Sequence, residues 1–72
     1  MAVDVRAHIT GTVWKILVRE GDRVTEEQQV AILESMKMEM PLEAPEDGTV
    51  EKIHATEGQA VEEGDLILTL SD

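Results

Sequence analysis

The stretch GTVWKI at residues 11–16 returns as GTVEKI at residues 48–53, and this repetition decides the fold. The same offset of 37 residues aligns further identical pairs: Ala7 with Ala44, Glu20 with Glu57, Gly21 with Gly58, Val24 with Val61, Glu26 with Glu63 and Leu33 with Leu70. Identity spread along both halves indicates an internal repeat. Halves of about 35 residues are too short to hold separate cores, so they must pack on each other about a pseudo-twofold axis.

Each half is predicted to consist of short β-strands. Residues 3–7 alternate apolar and polar side chains, residues 13–18 and 50–55 are rich in β-formers, and residues 66–70 read LILTL. Short strands separated by frequent turns predict an all-β sandwich or flattened barrel. The glycines are interpreted as turn positions that need a permissive backbone: Gly11, Gly21, Gly48, Gly58 and Gly64.

A competing helical pattern runs through residues 25–40. Its first four residues, TEEQ, have the form of a capping box, and apolar residues then recur at helical spacing. The equivalent segment of the second half, residues 62–70, contains a glycine and a strand-like apolar run. Because similar halves should fold alike, we predict strands over residues 29–34 and 39–43, joined by a tight hairpin.

The hairpin register follows if Met36 and Lys37 form a two-residue turn. The opposed pairs are then Ser35 with Met38, Glu34 with Glu39, Leu33 with Met40 and Ala31 with Leu42. Such a turn needs positive φ at both central residues, so we predict positive φ at Met36 and Lys37, with Lys37 exposed. Glu34 and Glu39 lie opposite each other on the outer face. Since like charges across a ladder are unfavourable, we interpret this pair as serving recognition by a partner.

Composition restricts the function. A chain of 72 residues is one domain and has little room for a catalytic cleft of its own. The absence of cysteine excludes disulfides and thiolate zinc sites and suits the cytoplasm. The two histidines have no metal-ligand spacing, so no metal site is expected. A net charge of −10 would repel nucleic acid and anionic membrane surfaces, so neither is an expected partner.

The segment Glu34-Ser35-Met36-Lys37-Met38 resembles the attachment signature of biotinyl domains, in which a lysine lies between two methionines in a tight turn. The resemblance covers nearly the whole chain, including the repeat and the place of the lysine midway between the halves. The chain is similar to small biotin/lipoyl attachment proteins and to biotin carboxyl carrier subunits of acyl-CoA carboxylases. This implies a single domain over residues 1–72, a flattened β-barrel or sandwich of two four-stranded antiparallel sheets. Its repeat halves are residues 5–35 and 42–72, and its modified hairpin is residues 34–39.

The resemblance also implies a role for each hairpin residue. Lys37 would carry covalent biotin, Met36 and Met38 would flank the cofactor, and Glu34 and Glu39 would serve recognition by biotin protein ligase. A lysine amine has an ordinary pKa of about 10.4 and is protonated at pH 7, so a ligase must deprotonate it and supply an activated acyl group. By resemblance that group is biotinyl-adenylate.

A biotin arm on Lys37 would carry carboxylate from a biotin carboxylase to a carboxyltransferase of an acyl-CoA carboxylase. Acetyl-CoA carboxylase, in fatty acid biosynthesis, is one such enzyme. The domain would be a cytoplasmic carrier that catalyses nothing itself, and we expect a monomer in isolation.

Three alternatives remain open at this point. The first is a lipoyl carrier of a 2-oxo acid dehydrogenase or glycine cleavage system, although lipoyl domains typically place Asp and Ala beside the lysine. The second is a Cu(I) site, because Met36, Met38 and Met40 alternate and would share one strand face. The third is an unmodified interaction module. Independently of these functions, the methionines could be adaptable core filler, which we expect of Met40. Trp14, the single aromatic residue, is expected to pack in or beside the core.

Overall fold

The computed structural model describes residues 2–71, which form two antiparallel β-sheets and contain no helix. The strands are β1 (Val3–Arg6), β2 (Gly11–Ile16), β3 (Arg23–Val24), β4 (Gln29–Ser35), β5 (Met38–Glu43), β6 (Gly48–Ile53), β7 (Ala60–Val61) and β8 (Leu66–Ser71). One four-stranded sheet has the order β5-β4-β2-β7 and is called the hairpin sheet below; the other has the order β1-β8-β6-β3 and is called the terminal sheet. The predicted all-β architecture of two four-stranded sheets is confirmed.

The two halves of the repeat are interlaced. Each sheet takes two strands from the first half and two from the second, as a pseudo-twofold arrangement requires. Reciprocal hydrogen bonds join the halves: the Ile16 N–H donates to Glu57 Oε2 at 2.9 Å, and the Ile53 N–H donates to Glu20 Oε2 at 3.0 Å. Glu20 and Glu57 occupy equivalent positions, and each accepts a hydrogen bond from a backbone N–H of the other half. This shared role explains why both halves have glutamate at this position.

The core lies between the two sheets and is wholly apolar among the described residues. Its most deeply buried large side chains are Val13, Val24, Val30, Leu33, Val50, Ile67, Leu68 and Leu70. All eight are β-branched or leucine side chains on strands, where alternate residues point inward. Burial of these side chains provides most of the stabilisation of a domain of this size, which has no disulfide.

The segment with the helical pattern forms a turn followed by β4. The Thr25 N–H donates to Gln28 Oε1 at 3.1 Å, and the Gln28 N–H donates to the Thr25 carbonyl oxygen at 3.0 Å. The residues of the apparent capping box therefore close a turn, since the bonds that begin a helix can also close an isolated turn. The prediction of strands in place of a helix is confirmed.

Trp14 lies outside the core, which corrects the expectation that it packs in or beside it. Its side chain is 42% exposed, and the Lys15 ammonium lies 5.8 Å from the centre of its ring. Trp14 follows the buried Val13, so strand alternation directs it away from the core. The register of β2 against β4 shifts between Val13 and Lys15, and at this β-bulge Lys15 faces the same way as Trp14.

Candidate functional site

The hairpin between β4 and β5 ends in a two-residue turn. Ser35 is the last residue of β4 and pairs with Met38, the first residue of β5, so Met36 and Lys37 form the tip. Their φ angles are 52° and 65°. Left-handed geometry at both central residues matches the twist of the flanking strands, but it is normally supplied by Asn-Gly. The predicted positive φ at Met36 and Lys37 is confirmed.

This turn is strained because neither tip residue is glycine. A left-handed conformation costs an L-residue about 1–2 kcal/mol. The pairing along β4 and β5 holds the tip in this conformation, and strain maintained by surrounding structure is typical of functional sites. The fold therefore presents Lys37 in a fixed backbone geometry.

The predicted hairpin register is confirmed at every position. The pairs are Ser35 with Met38, Glu34 with Glu39, Leu33 with Met40 and Ala31 with Leu42. Ala31, Leu33 and Leu42 are buried. Met40, the third residue of β5, is half-buried and is not among the partly buried side chains that pack against the core, so the expectation that it is core filler is not confirmed. Glu34 and Glu39 are both exposed, directly opposite each other.

The side chains at the tip extend into solvent. Met36 is 91% exposed, Met38 is 61% exposed, and Lys37 between them is also exposed. Neither Met36 nor Met38 is core filler, although burial would be the favourable state for an apolar thioether. Met36 lies in the turn and outside β5, so the expected set of three methionines on one strand face is not formed.

The surface around Lys37 is open. Residues 2–71 contain no cavity able to enclose a substrate. Among the same residues no group of three or more His, Cys, Asp or Glu side chains is placed to hold a metal ion. No helix in the described part of the chain is long and apolar enough to cross a membrane. The site extends one primary amine, on a four-methylene stem, from the tip of the hairpin into solvent.

Gly11 supports the base of the hairpin, a role that sequence reasoning missed. A Cβ atom at Gly11 would clash with the carbonyl oxygen of Glu34 and lie 3.3 Å from the Ser35 Cβ. Gly11 lies within β2 and Gly48 within β6, and neither has φ in the left-handed region, so the interpretation of both as turn residues is wrong. The position of Gly11 inside the repeated strand was the available signal, since glycine within a strand often marks close backbone approach.

Comparison with known proteins agrees with the geometry of this hairpin. Residues 2–70 match the biotin/lipoyl family described as "Biotin-requiring enzyme". The chain belongs to the biotin/lipoyl attachment family. The resemblance inferred from the Met-Lys-Met segment and the repeat is thereby confirmed.

Three relatives illustrate where such domains occur. The "Biotin/lipoyl attachment protein" of Bacillus subtilis is 46% identical over 68 residues, which are 94% of this chain and 93% of that protein. The "Biotin carboxyl carrier protein" of Streptococcus mutans is 46% identical over 65 residues, covering 90% of this chain and 50% of the relative. A solved structure of a single-chain, multi-domain long-chain acyl-CoA carboxylase superimposes with a TM-score of 0.92 at 33% identity. The match covers 97% of this chain and 7% of that one. Segments of pyruvate carboxylases match as well.

Proposed function

We propose that this chain is a biotin carboxyl carrier whose Lys37 is biotinylated by a biotin protein ligase. The observation that carries the proposal is the presentation of Lys37 in a left-handed turn between two exposed methionines. A solvated methionine is unfavourable unless another molecule contacts it, and here two of them flank the one amine at the tip. The names of the relatives support biotin as the attached group.

Attachment needs chemistry that the chain lacks. The Nζ of Lys37 attacks the carbonyl carbon of biotinyl-adenylate, an amide bond forms, the bond from that carbon to the phosphate oxygen breaks, and AMP leaves. The ligase takes up the protons that the amine loses, because a lysine ammonium is not nucleophilic at pH 7. Met36 and Met38 contact the ligase or the ring system beside the amide, and Glu34 and Glu39 contribute to recognition.

The chain is a carrier and not a catalyst. Attached biotin supplies a ring that takes up carboxylate at a biotin carboxylase and releases it at a carboxyltransferase. The acceptor we propose is an acyl-CoA such as acetyl-CoA, in the cytoplasm, with the carrier monomeric when separated from its partner subunits. The function of the chain is to hold Lys37 on a rigid hairpin. The flexible methylenes of the Lys37 side chain let the attached group reach the active sites of the carboxylase and the carboxyltransferase.

The proposal is tested by coexpressing the chain with a biotin protein ligase and measuring intact mass and streptavidin binding. We expect one biotin adduct on the wild-type chain and none on Lys37→Arg, which keeps charge and length without a usable nucleophile. Lys15→Arg and Lys52→Arg serve as matched controls and should remain fully labelled. Labelled Lys37→Arg, or the mass of a lipoyl adduct on the chain from its own cells, would contradict the proposal.

The acceptor is tested separately with the biotinylated chain. Purified biotin carboxylase and carboxyltransferase, with labelled bicarbonate and ATP, are offered acetyl-CoA, propionyl-CoA or pyruvate. We expect label to enter an acyl-CoA and to require biotin on Lys37. Transfer to pyruvate alone would retain the carrier function and exclude the proposed acceptor class.

A further inference from the structure

The pseudo-twofold axis allows the outer faces of the two sheets to be compared position by position. On the hairpin sheet Lys15 pairs with Ile32, which pairs with Pro41. On the terminal sheet the equivalent row is Lys52, Thr69 and Asp4, paired in the same order. The backbone is thus the same on the two faces, and any difference in their side chains is not imposed by strand geometry.

The outer face of the hairpin sheet is apolar where that of the terminal sheet is polar. Trp14, Leu17, Ile32 and Pro41 occupy the positions taken in the other half by Glu51, His54, Thr69 and Asp4. Trp14 is 42% exposed and Leu17 is 47% exposed, although neither position needs an apolar residue for the fold. On the terminal sheet the equivalents of Leu17 and Ile32 are polar and bond to each other: His54 Nε2 is hydrogen-bonded to Thr69 Oγ1 at 2.8 Å.

Three acidic residues border this apolar patch. Glu34, Glu39 and Glu43 are exposed there, and their equivalents on the other face are Ser71, Ala2 and Arg6. We call these four apolar and three acidic residues the hairpin face. Leu17 directly follows β2 and is tied to β4 by the hydrogen bond from its N–H to the Val30 carbonyl oxygen, and the exposed Lys15 lies on the same face beside the Trp14 ring. Its charge disfavours a second copy of the chain as the occupant, because each copy carries a net charge of −10. The charge favours a partner whose contact surface is apolar at the centre and basic at the rim.

We infer that the hairpin face is the docking surface for the biotin protein ligase. This inference rests on the proposed function of Lys37. β4 and β5 contribute to the face and lead directly into the turn that bears Lys37. Ile32 stands four residues before Met36, or about 13 Å along a strand, so a protein that encloses Lys37 also covers the face.

The ligase is favoured over the carboxylase subunits by what each must recognise. A carboxylase subunit can bind the biotin group itself, whereas a ligase meets a bare lysine that resembles every other surface lysine. Lys15 and Lys52 are exposed on the same small domain, so the amine alone does not identify Lys37. The ligase must therefore recognise polypeptide beyond the amine, and the hairpin face is the nearest surface whose composition the fold leaves unexplained.

The test compares matched triple variants in steady-state biotinylation with purified biotin protein ligase, biotin and ATP, at varied concentrations of the chain. The hairpin-face variant is Trp14→Ala, Leu17→Ala and Ile32→Ala. The control carries alanine at the equivalent positions of the terminal sheet, as Glu51→Ala, His54→Ala and Thr69→Ala. We expect kcat/KM of the hairpin-face variant to fall at least about tenfold through KM, with kcat nearly unchanged, because apolar interface centres carry most of the binding energy. The control should match the wild-type chain.

A single variant keeps the test decisive if the triple variant folds poorly. Leu17→His places on the hairpin sheet the residue that the other half accepts at that position, and it should raise KM about threefold or more with an unchanged thermal midpoint. Equal kcat/KM in the two triple variants, a loss confined to kcat, or a wild-type dimer that dissociates when the face is changed would each overturn the docking surface. If the wild-type chain is not biotinylated at all, the proposed function fails too; if it is biotinylated and the variants behave alike, only the docking surface fails.

Discussion

The substitution Gly11→Ala should push β2 away from the end of β4, next to the turn that bears Lys37. It should destabilise the domain more than Gly48→Ala, the equivalent change in the other half. A Cβ atom at this position of β2 would overlap the Glu34 carbonyl oxygen and lie 3.1 Å from its carbonyl carbon. Both atoms belong to the backbone of β4 and cannot rotate away. The strands must therefore separate where the hairpin that carries Lys37 begins.

The magnitude follows from two contributions. Overpacking against rigid neighbours costs about 1–3 kcal/mol, and weakening of a ladder hydrogen bond near Thr12 and Glu34 adds about 1 kcal/mol. The expected loss is about 2–4 kcal/mol, a large part of the free energy of unfolding of about 4–10 kcal/mol for a domain of this size. At the equivalent Gly48 a Cβ would lie 2.8 Å from the Ser71 carbonyl oxygen, a milder clash at the end of β8. Gly48→Ala should cost about 1–2 kcal/mol.

Urea unfolding followed by far-ultraviolet circular dichroism measures both losses. Gly21→Ala is a useful reference, because a Cβ there meets no atom within 4 Å and the cost arises only from a φ of 96°. Under conditions where Gly11→Ala is still folded, its biotinylation should be slower than that of Gly48→Ala, since only the former displaces β4. A Gly11→Ala chain within about 0.5 kcal/mol of the wild type, or a costlier Gly48→Ala, would refute the reasoning.

Two further predictions concern the exposed residues of the hairpin. Replacing Met36 with Asp and Met38 with Ala should change the free energy of unfolding by less than about 1 kcal/mol, because both side chains are exposed, and should slow biotinylation or redirect the chain to lipoylation. Thermal melts and intact mass measure this, and a loss of several kcal/mol would contradict it. Glu34→Gln or Glu39→Gln should raise stability by some tenths of a kcal/mol by relieving repulsion across the ladder, while lowering kcat/KM with the ligase. An unchanged kcat/KM in both variants would remove these carboxylates from recognition.

Much of the fold could be predicted because segments of one half could be compared with the equivalent segments of the other half. The helical pattern of residues 25–40 was resolved only by comparison with residues 62–70. Placing Met36 and Lys37 in a two-residue turn then determined the hairpin register, which set the apolar residues on one face. The positive φ angles followed from the same turn, since a two-residue hairpin turn needs left-handed residues.

Other features depend on contacts that one strand does not reveal. The strands Arg23–Val24 and Ala60–Val61 have two residues each, too few to show a period of two. The bulge that places both Trp14 and Lys15 on the outer face is a property of the pairing of β2 with β4, and the close approach at Gly11 is set by the Glu34 carbonyl group of β4. Pairing geometry of this kind arises only when both strands are in place.

The duplicated architecture also separates what the fold requires from what the function requires. Lys15 and Lys52 occur at equivalent positions of β2 and β6, so the shared strand geometry accounts for both. Lys37 has no equivalent among the described residues, and it lies in the turn that joins the two halves. The same holds for Trp14 and Leu17, which replace polar residues of the other half at a cost in solvation. Trp14 and Leu17 thus break the symmetry between the two halves, and these exposed apolar side chains lie on the same side of the domain as the hairpin that bears Lys37. A partner that contacts them also contacts the one lysine held in a left-handed turn, and this coincidence would let a ligase modify Lys37 and leave Lys15 and Lys52 free.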